Sequence, residues 1–154
     1  MITDSLKLDK DDQGNLTEEN WVYVVGKSSG ESVTQAFYAH AEGLNNKAIG
    51  LGAHVEGKDN QAIGNHAHAE GRQTVANYAA HAEGRKSVAS GQMSHAEGYN
   101  TKAYGERAHS EGSDTTASGK NSHVEGQSSK ALGSNSHAEG LSTTSWGGNS
   151  HAEG

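Results

Sequence analysis

The chain has no cysteine and no proline in its 154 residues, and only 5% of them are aromatic. Without cysteine there is no disulfide framework, no thiolate metal site and no sulfur nucleophile. Hydrophobic residues make up 31% of the chain, against about 45–50% in an ordinary globular domain, so a conventional apolar core is not expected. No apolar run approaches the ~18 residues of a membrane span, and no membrane-spanning helix is expected. The opening Met1-Ile2-Thr3-Asp4-Ser5-Leu6-Lys7 lacks the basic, then apolar, then small-residue order of a secretory signal. A formal charge of -7 argues against a nucleic-acid partner, whose phosphates would repel it. Bulk composition alone describes a disordered chain; the order of the residues does not.

What the chain has is a repeat, and the repeat decides the fold. The quartet His-x-Glu-Gly begins at His40, His54, His68, His81, His95, His109, His123, His137 and His151, spaced by 14 residues except for one step of 13 between His68 and His81. Of the 10 histidines only His66 lies outside this series. Midway between quartets runs a second column, Ala48, Ala62, Ala76, Ala89, Ala103, Ala117 and Ala131, with Ser145 in the last unit. Glycine follows two residues later at Gly50, Gly64, Gly91, Gly105, Gly119, Gly133 and Gly147.

A 14-residue period is too short for helix-pair or leucine-rich units. Each unit holds two short segments of period-two alternation, such as Lys47-Ala48-Ile49 and His54-Val55-Glu56. Alternation turns Ala48 and Val55 inward and Lys47, Ile49, His54 and Glu56 outward. Inward side chains this small suit only a thin coil of two strands, with glycine at the positive-φ corners. The expected fold is therefore all-β, a parallel β-solenoid of 14-residue, two-strand coils. The 13-residue unit reads as a tightened turn in an unbroken stack, with Asn77 in a left-handed corner. The column Asn46, Asn60, Thr74, Ser87, Thr101, Thr115, Ser129 and Thr143 is expected to form a polar ladder along one edge, which leaves an ice-binding surface as a minor alternative.

Small inward groups return little hydrophobic stabilisation against the entropy of ordering a whole coil, so one outer face should be buried against another copy. The face with the same requirement in every layer is the candidate for a symmetry axis. That face is the His and Glu of the quartets: His40 and Glu42, His54 and Glu56, His68 and Glu70, His81 and Glu83, His95 and Glu97, His109 and Glu111, His123 and Glu125, His137 and Glu139, His151 and Glu153. The opposite outward column varies through Ile49, Ile63, Ser90, Tyr104, Ser118, Leu132 and Trp146 and is left for solvent or a ligand.

The string Asn121-Ser122-His123-Val124-Glu125-Gly126-Gln127-Ser128-Ser129-Lys130-Ala131-Leu132-Gly133 resembles the head repeat of YadA-like trimeric adhesins, an N-S-V-A-I-G core followed by x-x-S-x-A-x-G. In its H-A-E-G form the unit is similar to repeats of phage tail fibres and neck appendages. The resemblance spans about residues 35 to 154 and implies a left-handed β-roll assembled as a homotrimer. Where the adhesin pattern has Val and Ile this chain has His and Glu, which makes the expected trimer axis an inter-chain His–Glu network. Such a network should depend on acid pH, since buried charges persist only when paired.

Metal binding is the competing reading of these residues, because His and Glu are sensible ligands for zinc and other divalent ions. The local candidate is the H-x-H of His66 and His68, which resembles iron-holding H-x-H motifs in phage fibre tips; otherwise no cofactor is expected. Catalysis is not expected, because no one carboxylate pair is singled out and no nucleophile elbow, phosphate loop or H-E-x-x-H occurs.

Residues 1–34 break the repeat and read as a cap or attachment segment preceding the β-roll of residues 35–154. Within them Trp21-Val22-Tyr23-Val24-Val25 is a credible strand, and Asp9 to Asn15 an acidic turn. The chain ends at Gly154 on a completed quartet, and the expectation is that either another fibre or virion protein continues the stack or the sequence is a truncated fibre. The combined expectation is a structural segment of an extracellular fibre, a phage tail fibre or appendage in a virion, that positions or contributes to binding of a cell-surface glycan or protein receptor. The alternatives are a cell-surface adhesin and a metal-binding solenoid.

Overall fold

The computed structural model describes residues 8–10, 16–21, 32–34 and 36–154. Over the repeat it is an all-β parallel solenoid of about eight turns, and no helix occurs among the described residues. One nine-stranded sheet carries the quartets in chain order, from His40–Leu44 and His54–Lys58 to His137–Glu139 and His151–Glu153. The other stacks the short strands, from Val33–Thr34 and Lys47–Ala48 to Thr144–Ser145. Pairing puts each residue on its own counterpart: His81 on His95, Ala82 on Ala96, Glu83 on Glu97, and Ala89 on Ala103. Upstream, Leu8–Lys10 pairs antiparallel with Leu16–Trp21. The strand expected from Trp21 onward thus begins where this one ends, and Val22 to Val25 lie outside the described residues.

Alternation places the core where period two requires it. Ala48, Val55, Ala103, Ser110, Ala131 and Ala138 are fully buried, as expected, with Lys47 and Glu56 outside. Two further columns also point inward. The first is the residue before each histidine, including Ala53, Ala67, Ala80 and Ala108 with Ser94, Ser122 and Ser136. The serine hydroxyls of that column donate to the carbonyls three residues back, for example Ser122 Oγ to Gly119 O at 2.7 Å.

The second is the Asn/Thr/Ser column, which is buried rather than edge-facing. Its side-chain oxygens accept the backbone N–H of the next rung: Asn46 Oδ1 from Asn60 at 2.9 Å and Asn60 Oδ1 from Thr74 at 2.8 Å. Asn60 Nδ2 in turn donates to the carbonyls of Glu56 and Gly71 at 2.7 and 2.8 Å. The column is internal because its amides and hydroxyls satisfy backbone groups at a corner where the ladder is interrupted. Burial removes the surface that an ice-binding role would need.

The corners differ from the glycine rule. Each coil has two left-handed positions, and most are not glycine: Asn45, Asp59, Gln73, Lys86, Asn100 and Asp114 form one series, and His66, Ala79, Met93, Arg107, Asn121 and Asn135 belong to the other. Their conformation is held by inter-coil bonds, such as Met93 N–H to Tyr78 O at 3.1 Å. The quartet glycines do take positive φ, +111° at Gly98. The mid-coil glycines do not; those from Gly50 to Gly133 are required for space. A Cβ on Gly105 would lie 2.0 Å from the carbonyl oxygen of Gly119 in the next coil. In the short unit the left-handed residue is Ala79 and not Asn77, which instead accepts from Ala80 N–H at the turn. The stack continues unbroken across it, with Val75 on Val88 and Ala76 on Ala89.

Two kinds of substitution test this arrangement. Gly105→Ala is expected to cost at least about 3 kcal/mol, because the clash is with backbone that cannot rotate away. Gly52→Asn should stay within about 1 kcal/mol, since asparagine tolerates the left-handed corner and occupies it at Asn121. Asn60→Ala should cost about 2–4 kcal/mol by leaving buried N–H and C=O groups unpaired. Denaturant unfolding checks all three.

Candidate functional site: the histidine–glutamate face

In-register pairing of the quartet strands stacks each imidazole on the next. Ring centroids lie 4.7 Å apart for His81 and His95, with planes 4° apart. The His95–His109 and His109–His123 pairs follow at 4.8 Å and 6° each, and His123–His137 at 4.8 Å and 8°. Toward the ends the rings tilt, by 30° between His40 and His54 and 41° between His137 and His151. Glutamates form a second column beside the rings, with Glu97 paired on Glu111.

Because residues i and i+2 of a strand share a face, each ring meets the carboxylate of its own coil. Nε2 to Oε2 distances are 3.6 Å for His40–Glu42 and His54–Glu56, 3.3 Å for His68–Glu70 and 3.5 Å for His81–Glu83. They are 3.6 Å for His95–Glu97, 3.5 Å for His109–Glu111 and 3.7 Å for His137–Glu139. Stacking covers one flank of each ring, so the face is half-buried even on a single chain. Burial, and after it the neighbouring imidazole, holds His81 and His95 below the ordinary histidine value, although nearby carboxylates pull the other way.

The family model described as "YadA head domain repeat" matches the chain twice, at residues 82–105 and 110–136. Those two segments are YadA-like head repeats. The matched segments contain the whole quartets of His95 and His123, and the same unit, in the same register, runs through the rest of the solenoid. No curated protein matches the chain.

The coils bring the expected His–Glu pairs into one stripe, and they place the two histidines of the H-x-H in different settings. His66 occupies a left-handed corner and is exposed; a carbon built on Gly52 would lie 3.1 Å from its Nδ1. His68 stands in the imidazole column with Nε2 toward Glu70. The two imidazoles therefore face different neighbours. The opposite face is uneven, as the sequence suggests: Trp146 is 76% exposed, while Ile63 and Tyr104 project from other coils. Three charged groups missed in the sequence meet at another corner, where Glu106 holds both Arg107 and Lys120 at 3.0 Å; their signal is a 14-residue separation between Glu106 and Lys120 in register.

A pH dependence follows. His81 faces His95, Glu70, Glu83 and Glu97; His95 faces His109, Glu83, Glu97 and Glu111. Since both titrate below 6.5 when folded, the unfolded chain binds more protons as pH falls through that value. The melting temperature should therefore drop progressively from about pH 7 to pH 5, as calorimetry would show; a flat profile over that range contradicts the coupling.

Proposed function

We propose that this chain is the β-roll segment of a homotrimeric extracellular fibre, specifically a phage tail fibre or appendage, that positions or contributes to receptor binding and performs no catalysis itself. The observation that carries this reading is the His–Glu face, which presents the same pair in layer after layer. A surface with an identical requirement at every rung suits identical neighbours, and three copies around one axis supply them. The thin interior supports the need for those neighbours. Its buried apolar residues are all alanine except Val55 and Val124, so each coil buries little apolar area on its own.

In this assembly the imidazoles and carboxylates of three chains close each layer as a polar network. That network sets register and copy number more than it adds stability, since buried ion pairs roughly offset their desolvation cost. The uneven outer face, with Ile63, Tyr104 and Trp146 exposed, is left free for a glycan or protein receptor. Equal copies of one dyad, with no single cleft, fit a structural rule better than a catalytic centre.

A cell-surface adhesin is the second reading, and the YadA head match favours it: YadA-like head repeats belong to surface-exposed, trimeric adhesins. Both readings share the trimer and differ in what the fibre is attached to, which neighbouring genes for virion or secretion components distinguish.

Sedimentation equilibrium should return three times the chain mass of 16.0 kDa. Replacing both members of two central layers (His95→Ala, Glu97→Ala, His109→Ala, Glu111→Ala) should shift the population toward single chains. A well-folded species that stays at 16.0 kDa with its histidines freely exchanging with solvent overturns the proposal.

A further inference from the structure

The His–Glu pairs are too open for the bonds they would make. A charge-assisted N–H···O contact closes to ~2.7–2.9 Å, whereas these stand at 3.3 Å in the tightest layer and 3.7 Å in the widest. At the same time Nε2 of His68, His81, His95 and His109 is shut off from solvent and has no hydrogen-bond partner. Two ligand atoms on one tetrahedral zinc, with bonds of ~2.0–2.1 Å, lie roughly 3.3–3.5 Å apart; the His68–Glu70, His81–Glu83 and His109–Glu111 pairs stand at 3.3, 3.5 and 3.5 Å, and the others at 3.6 or 3.7 Å. A third donor is close by in the adjoining layer. The ligand atoms of His68, Glu70 and His81 all lie within 4.8 Å of one another, as do those of His95, Glu97 and His109, and of Glu125, His137 and Glu139. The in-register carboxylates, Glu83 on Glu97 on Glu111, also call for a counter-cation between like charges.

The geometry points to a row of divalent transition-metal sites along this face, each made by the His Nε2 and Glu Oε2 of one layer with a donor from the next, water completing the tetrahedron. Imidazole with carboxylate suits zinc-like ions better than magnesium or calcium, which prefer all-oxygen sets. Neighbouring groups share an imidazole, as His81 serves both Glu70 and Glu83, so adjacent sites cannot fill together and alternate ones can. The groups His68–Glu70–His81, His95–Glu97–His109 and Glu125–His137–Glu139 share no residue, so at least three ions per chain are expected. The face is the one assigned to the trimer axis, but the donors come from a single chain.

The test uses untagged, chelator-stripped protein titrated with zinc chloride at pH 7.5, with bound zinc counted after dialysis and mass measured on the same sample. Several zinc ions per chain are expected, falling by at least half in the variant Glu70→Gln, Glu97→Gln, Glu125→Gln. Should that variant not fold, cobalt(II) loaded into the unaltered chain gives the readout, with the intense visible bands of tetrahedral nitrogen and oxygen coordination expected. Zinc below one ion per chain, a count indifferent to the glutamine changes, a single ion abolished by His66→Ala, or a cobalt spectrum of hydrated octahedral ion overturns the proposal. A folded trimer without zinc sinks this inference and leaves the fibre reading standing; a zinc-loaded single chain does the reverse.

Discussion

The structure depends on one constraint: every coil hydrogen-bonds to the next at a rung spacing of ~4.8 Å, in register, so each side chain must tolerate a copy of itself at that distance. The constraint acts first on the backbone. At most mid-coil positions the next coil's backbone stands where a Cβ would go, its carbonyl oxygen 1.9 Å away at Gly91 and 2.0 Å at Gly105, and there only glycine fits. It acts next on the interior, where alanine stacks on alanine and the gap between the two sheets admits nothing larger than valine in the apolar columns. Polar residues enter that interior only because stacking gives them partners. Asn46 accepts from Asn60 and Asn60 from Thr74, so a column that would be costly as isolated amides becomes part of the backbone ladder.

The same rule makes the His–Glu face an electrostatic problem. Stacking carboxylate on carboxylate and ring on ring is unfavourable if each column carries its full charge. The imidazoles of His81 and His95 answer by losing basicity to burial and to each other, which leaves the adjoining glutamates with less compensation than a row of ion pairs would give. A face in that condition gains from whatever supplies donors or cations at the rung spacing. Copies of the chain and divalent ions are two ways of doing so, and both use the identity of the layers.

Much of this was legible in the sequence, for a physical reason: an in-register stack writes its period directly into the residues. The recurrence from His40 to His151 and the alternation at Ala48 and Val55 were enough for the fold, the inward columns and the His–Glu stripe. The corners were less legible. Lys86, Met93 and Arg107 have no intrinsic preference for positive φ, and they adopt it because the coil must close and the next rung's bonds hold it there. Propensity therefore pointed to glycine at positions whose glycine answers to space instead. The inward direction of the Asn/Thr/Ser column was hidden for a related reason, since a polar residue reads as exposed until its partners are known.

The short coil shows which parts of the repeat the constraint protects. One residue is missing between Ala76 and His81, yet His68 still lies on His81, Ala69 on Ala82 and Arg72 on Arg85, and the Ala column continues through Ala76 to Ala89. The deletion is absorbed in the turn that Asn77 and Ala79 make, where the coil can shorten without moving either sheet. Taking it within a strand would have reversed every later side chain between inside and outside, sending imidazoles into a space that holds only alanine, serine and valine. Length is thus free to vary at a corner and fixed within the quartet strand. Both sheets keep their register across the change, and the His–Glu face therefore continues as one stripe through the short coil.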